Sequence, residues 1–187
     1  MNKQRCLLVV SGPSGVGKDT VVSRLRELHP EIEFSVSATT RAPREGEKDG
    51  REYYFLQTEQ FEGKIERGEM LEYTNYCGKY YGTPRSEVDK RLDAGTSVVL
   101  VIEVEGGANI KRLYPESTLI FLMPPSIEEL RARLQGRGTE SDEAIERRLQ
   151  RAQEEMTHAP EYDFTVVNLV VDACVEEIYR ILRQRQA

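Results

Sequence analysis

Residues 12–18 read Gly-Pro-Ser-Gly-Val-Gly-Lys, set between an apolar run at 5–11 (RCLLVVS) and a stretch with apolar residues at Val21, Val22, Leu25 and Leu28. The first run is short, continuous and ended by glycine, the pattern of a strand buried in a parallel sheet. The spacing after the loop is helical, and Pro30 ends it. A Gly-x-x-x-x-Gly-Lys segment at a strand-to-helix junction limits what can be built around it. The glycines let the backbone curl until several N–H groups point inward, and the helix N-terminus adds positive potential. Such a loop suits the phosphates of a nucleotide, with Lys18 reaching the β- and γ-phosphates. The Ser or Thr that usually follows the lysine is replaced by Asp19, with Thr20 one position later. Thr20 is expected to contact phosphate. Asp19 is expected either to meet Mg²⁺ through water or to serve as a first-turn acid favoured by the helix dipole. Neither Asn-Lys-x-Asp nor Asp-x-x-Gly occurs in the chain, which argues against a GTPase.

Further apolar runs follow at 97–102 (SVVLVI), 117–122 (STLIFL) and 164–168 (FTVVN), each read as a buried strand. Helices are predicted between them. One starts at Thr83-Pro84, with a capping hydroxyl and proline at the first position, and stops at Gly95. Another opens with the capping box Ser126-x-x-Glu129 and ends at 136–138. A charged helix covers 141–157, and an amphipathic one covers 172–185 with Ile178, Ile181 and Leu182 on one face. Buried strands alternating with helices predict an α/β fold with a central parallel sheet. The segment 53–82 departs from this rhythm. It holds six of the nine tyrosines, with one short helix near 58–67, and reads as a small, mostly antiparallel insertion.

The 187 residues are enough for one domain with its own core. Three widely spaced cysteines and two histidines form no metal-ligand or disulfide pattern, and the expected compartment is the reducing cytoplasm. The N-terminal apolar run of about five residues lacks a small-residue cleavage site, so no signal peptide is expected, and no apolar run approaches membrane-spanning length. A net charge of −6 disfavours a broad nucleic-acid or anionic-membrane surface. Nevertheless the 26 basic residues comprise 19 Arg and only 7 Lys. This fits either a compositional preference or a few concentrated anion sites built from bidentate guanidinium groups. The segment 37–46 (SATTRAPREG) suits a second phosphate, because two arginines three apart follow a run of hydroxyls on a stiffened loop.

Taken in order, SGPSGVGK, SATTRAPREGE, EYYF, GEMLEY, KYYGTP and PPSIEELRARLQGRGTE resemble the guanylate kinases, and the resemblance spans roughly residues 6–182. It implies a P-loop three-layer α/β fold with a central parallel sheet, a GMP-binding insertion and a helical lid. It also implies transfer of the γ-phosphate of ATP to GMP, with Mg²⁺. On this basis the core falls at about 1–34, 83–135 and 159–187, the insertion at about 35–82, and the lid at about 136–158. The implied partners are ATP and GMP, with no nucleic acid and no membrane.

Position by position, the resemblance places ATP at Gly12, Pro13, Ser14, Gly15, Val16, Gly17, Lys18, Asp19 and Thr20, with Asn168 near the adenine. The GMP phosphate falls to Arg41, Arg44, Tyr53 and Tyr81, and the guanine to Ser37, Glu72 and Thr83. One carboxylate can accept from the adjacent N1–H and 2-amino group of guanine, a donor pair that adenine lacks. Glu103 stands where the family usually has Asp, facing the GMP side or the Mg²⁺ shell; the alternative is a cap on a helix after Gly106-Gly107. Val101, Glu105 and Leu169 also depart from common family residues. Lys18 and Arg41, with Arg133, Arg137 and Arg148 on and beside the lid, form the expected catalytic set, and Gly136 and Gly138 are expected hinges. In the helix at 141–157, Arg147 and Arg151 are expected on a solvent face, paired i,i+4. Two other readings compete: a non-catalytic guanylate-kinase-like interaction module, in which the loop or lid arginines are typically degraded, and a kinase of a ribosyl phosphate, which would lack the guanine reader.

Overall fold

The computed structural model describes residues 5–76, 78–136 and 141–186. Its centre is a five-stranded, all-parallel sheet in the order β2-β7-β1-β8-β9, made of β1 (Leu7–Ser11), β2 (Glu33–Phe34), β7 (Val98–Val101), β8 (Thr118–Met123) and β9 (Phe164–Val167). The side-chain alternation of β1 divides the core in two. Leu8 and Val10 pack with Val21, Val22 and Leu25 of α1 (Lys18–Leu28) and with Val175, Ile178 and Leu182 of α7 (Val171–Arg185). Leu7 and Val9 pack with Val88 of α3 (Arg85–Asp93) and Ile110 of α4 (Val104–Leu113). Helices on both faces give the three layers expected. Burial on both faces also explains why these strands read as continuous apolar runs.

A second sheet stands beside this core in the order β4-β3-β6-β5. Its strands are β3 (Ala38–Thr39), β4 (Tyr54–Phe55), β5 (Met70–Tyr76) and β6 (Lys79–Pro84). The pairs β3–β6 and β5–β6 are antiparallel, and β3–β4 is parallel. The helix α2 (Thr58–Glu66) closes one side by burying Phe61 against Ala38 and Met70, with the Tyr80 ring stacked on Phe61. A separate apolar cluster joins α5 (Ile127–Gln135) to α6 (Asp142–Met156) through Leu130, Leu134, Ile145 and Leu149.

Several local expectations need correction. The helix expected at Thr83 begins at Arg85, with Pro84 in the N-cap position, because Thr83 is paired in β6 and its hydroxyl is engaged elsewhere. The helix expected after Gly106-Gly107 already starts at Val104 and carries both glycines within it. The capping box at Ser126 is half made: Ser126 Oγ accepts from the Glu129 N–H, while the Glu129 carboxylate accepts from Arg133. The run at 164–168 forms an edge strand ending at Val167, with Val166 buried and Thr165 and Val167 exposed.

The glycine loop crosses β8 closely. A Cβ on Gly12 would stand 2.5 Å from the Leu122 carbonyl oxygen, a main-chain atom in the middle of a strand. Gly12→Ala should therefore lower the unfolding free energy by about 1–3 kcal/mol, read from the shift of a urea-unfolding midpoint.

Candidate active site

The loop and the second sheet face each other across one cavity at the carboxyl ends of β1 and β7, where open parallel sheets place their ligands. Pro13, Ser14, Gly15, Gly17, Lys18, Asp19 and Thr20 line one side; Ser37, Tyr53, Glu72 and Tyr81 line the other. Glu103 and Arg148 complete the wall, together with Thr74, Gly82, Val101 and Ile102, which sequence reasoning did not single out as site residues.

The loop curls as its glycines require, with Gly15 and Gly17 at φ 86° and 98°. Val16, expected among the ATP contacts, is fully buried and does not line the cavity. Lys18 lies across the loop, with Nζ donating to the Gly12 carbonyl at 2.6 Å and sitting 3.7 Å from Glu103 Oε2. Glu103 occupies the N-cap position of α4, but its side chain makes no capping bond. It is thus aimed at Lys18 and the cavity, and the capping alternative falls away. Asp19 and Thr20 are exposed in the first turn of α1. With Glu103 they put oxygen donors on the cavity wall, but among the described residues no three carboxylates, histidines or cysteines gather into a metal cluster, so a hard divalent cation here would be held mainly by water and phosphate.

Asn168 and Arg133 stand behind the loop. Asn168 is buried, and its Nδ2 donates to the Val16 carbonyl at 2.8 Å. Arg133 donates to the same carbonyl at 3.2 Å, to the Asn168 carbonyl at 2.9 Å and to Glu129. Arg133, expected at the transferring phosphate, and Asn168, expected at the adenine, both spend these donors on main-chain carbonyls and brace the loop. Arg137 and Gly138 lie outside the described residues; Gly136 follows α5 as its C-cap.

Arg41 and Arg44 do not line the cavity but stand next to its Tyr53 wall: Arg41 is held by Glu47 in a two-point grip, each bond 2.9 Å, and its guanidinium lies 5.4 Å from the centre of the Tyr53 ring. The same carboxylate accepts the Arg44 N–H at 2.7 Å, so Glu47 shapes the turn that carries both arginines, while Arg44 itself is exposed. Hydrogen bonding to Arg41, then to the Arg44 backbone, holds the Glu47 carboxyl below its usual range. Tyr53 and Tyr81 meet edge-to-face, 6.1 Å between ring centres, and burial raises the Tyr53 phenol pKa. Sequence reasoning missed Glu47. Its spacing, six residues after Arg41 on a loop, carries no periodic signal.

Glu72 is the most perturbed carboxylate of the cavity. The β5–β6 register sets it opposite Thr83, whose hydroxyl donates to Oε1 at 2.6 Å. A Cβ on Gly106 would lie 3.0 Å from Oε2, so glycine at this position lets α4 pack closely on the carboxylate. Glu72 is 6% exposed, and desolvation pushes its pKa up to about 7 against the bonds from Thr83. The folded protein therefore keeps a proton that the unfolded chain releases between about pH 4.5 and pH 7, and stability falls as pH rises through that window. Glu72→Gln should be more stable than the parent at pH 8, by about 2–3 kcal/mol at most, with the gap closing toward pH 4.5 in parallel urea titrations.

This architecture, with a glycine loop between its central strand and a helix, defines an α/β protein with a parallel central sheet, helices on both faces and a second, mixed sheet. A family model described as guanylate kinase matches residues 4–185. A guanylate kinase of Halalkalibacterium halodurans is 49% identical over 183 residues, covering 97% of this chain and 90% of the relative. One of Gloeobacter violaceus is 52% identical over 176 residues, covering 94% and 86%. The crystal structure of guanylate kinase from Anaplasma phagocytophilum superposes with a TM-score of 0.80 at 36% identity, covering 99% of this chain and 88% of that one. The chain belongs to the guanylate kinase family.

Proposed function

We propose that the protein transfers the γ-phosphate of ATP to GMP, giving ADP and GDP. The observation that carries this reading is the buried Glu72 carboxylate, seated on Thr83 and opening on the same cavity as the glycine loop. Guanine N1–H and its 2-amino group can both donate to one carboxylate, whereas AMP would leave that carboxylate buried and unpaired. Ser37 supplies a further hydroxyl for the base, whereas Thr83, expected there as well, is fully buried behind the cavity with its hydroxyl spent on Glu72, so it orients the carboxylate instead. Arg41, Arg44, Tyr53 and Tyr81 take the GMP phosphate, with Arg41 already oriented by Glu47. ATP lies with its phosphates over residues 12–20. The second sheet, about 35–82, acts as the GMP-binding insertion, and about 136–158 acts as a lid on the core.

Phosphoryl transfer asks little covalent chemistry of the protein. Its residues align the two phosphates and stabilise charge spread over the transferring group. Lys18 reaches that group by leaving the Gly12 carbonyl. Arg148, already on the cavity wall, meets it from α6, and Arg137 joins from the lid. Arg133 contributes by bracing the loop. Mg²⁺ on the ATP phosphates would neutralise charge, with Asp19, Thr20 and Glu103 as its protein neighbours through water. No general base is needed, and the expected compartment is the cytoplasm.

A coupled assay with ATP and each of GMP, AMP, UMP and CMP tests the reading. GMP should be turned over at least about 10²-fold faster than AMP, and equal rates would overturn the assignment. Lys18→Ala should lose about 10²-fold or more in kcat while keeping its unfolding midpoint. Because guanine donates to the ionised carboxylate, KM for GMP should fall as pH rises through about 7. That dependence should vanish in Glu72→Gln.

A further inference from the structure

Ser14 is gripped twice by one helix. Its backbone N–H donates to Glu155 Oε2 at 2.9 Å, and its hydroxyl accepts from an Arg148 NH2 group at 3.0 Å. Arg148 and Glu155 are seven residues apart on α6, so they project from the same face two turns apart. Arg151 lies between them and donates Nε to Glu155 Oε1 at 2.8 Å. The expectation that Arg151 pairs i,i+4 holds, but the pair is turned toward the loop: the Glu155 side chain is only 12% exposed. Arg148 lines the cavity, whereas Glu155 is not among the lining residues. The carboxylate therefore reaches the loop from outside the cavity while its neighbour two turns earlier points in.

We propose that Glu155 is a positioning residue: by holding the Ser14 N–H it fastens α6 to the glycine loop at a fixed register, and so delivers Arg148 to the transferring phosphoryl group. This rests on the phosphotransfer reading above. The contact needs an acceptor oxygen at this position, and charge strengthens it. An ionised carboxylate makes a shorter and stronger bond to an N–H than a neutral acceptor does, and its second oxygen is locked by a guanidinium. An N–H committed to Glu155 is also withdrawn from phosphate. The protein thereby settles which loop donors face the nucleotide. A displacement of about 1 Å at a positioned group can cost about 10²-fold in rate, so the tie acts on kcat. It leaves GMP binding alone, because the GMP wall is built on other elements.

The test uses Glu155→Ala and Glu155→Gln in the full chain, with the exposed Glu154→Gln as control. In Glu155→Ala, kcat should fall about 10–10²-fold, with the Kd for GMP alone unchanged within about twofold. Glu155→Gln keeps an acceptor oxygen for Ser14 and should recover a large part of the loss. Glu154→Gln should match the parent. Amide hydrogen exchange over residues 13–17, measured without nucleotide, should be faster in Glu155→Ala, a readout independent of any activity. Unchanged exchange and kcat would overturn the proposal, as would a Gln variant no better than Ala, or parallel losses of kcat and GMP affinity. If Glu155→Ala fails to fold, Glu155→Gln carries the same comparison. If the parent transfers no phosphate while exchange still quickens, the functional reading fails and the tie stands.

Discussion

A glycine-rich loop has few side chains with which to hold its own shape, and everything this protein does with a nucleotide depends on what braces it. Four parts of the chain supply the bracing. The Val16 carbonyl takes donors from Asn168, just past β9, and from Arg133 on α5. The Ser14 peptide and hydroxyl are taken by α6. Gly12 lies directly on β8. Inward-pointing N–H groups are effective anion ligands only if they are already ordered before the anion arrives, since ordering them at the moment of binding would cost conformational entropy. Side chains from three separate parts of the chain provide that order.

The acidic balance of the molecule acquires a local meaning at the site. Lys18 faces Glu103, Arg41 is gripped by Glu47, and Arg151 is gripped by Glu155. Each carboxylate orients a cation or a loop donor near the cavity. A guanidinium has five donors, so Arg41 can bond Glu47 and still present others to phosphate. The arginine excess that drew attention in the composition is in part this: planar forks that can be oriented by a carboxylate on one edge while keeping another edge for a ligand.

Much of the architecture was legible because burial on both faces forces continuous apolar strands and because glycine and proline mark the joints. β1, β7 and β8, with α1 after the first and α5 after the last, stand where the apolar runs, periodicities and cap signals put them. The misreadings share one cause. Thr83 looked like a helix cap because a hydroxyl before proline usually is one, but a strand partner eleven residues away claimed it. The strand at 164–168 looked buried, but among the described residues it pairs with β8 on one side and stands at the sheet edge. Glu47 and Glu155 were invisible as site residues, since a carboxylate on a loop or on a charged helix gives no pattern until its partner is known.

Taken alone, the sequence determined the glycine loop and its place between strand and helix, the layered α/β plan and a tyrosine-rich segment apart from the central sheet. These follow from local chemistry: φ freedom at glycine, periodic burial and residue type at short spacing. Only the tertiary structure decided the electrostatic state of Glu72, the bracing role of Arg133 and Asn168, and the grip of α6 on Ser14. Those depend on groups up to 152 residues apart in the chain, as with Asn168 and Val16. Their distances and desolvation exist only once the sheet has brought its strand ends together.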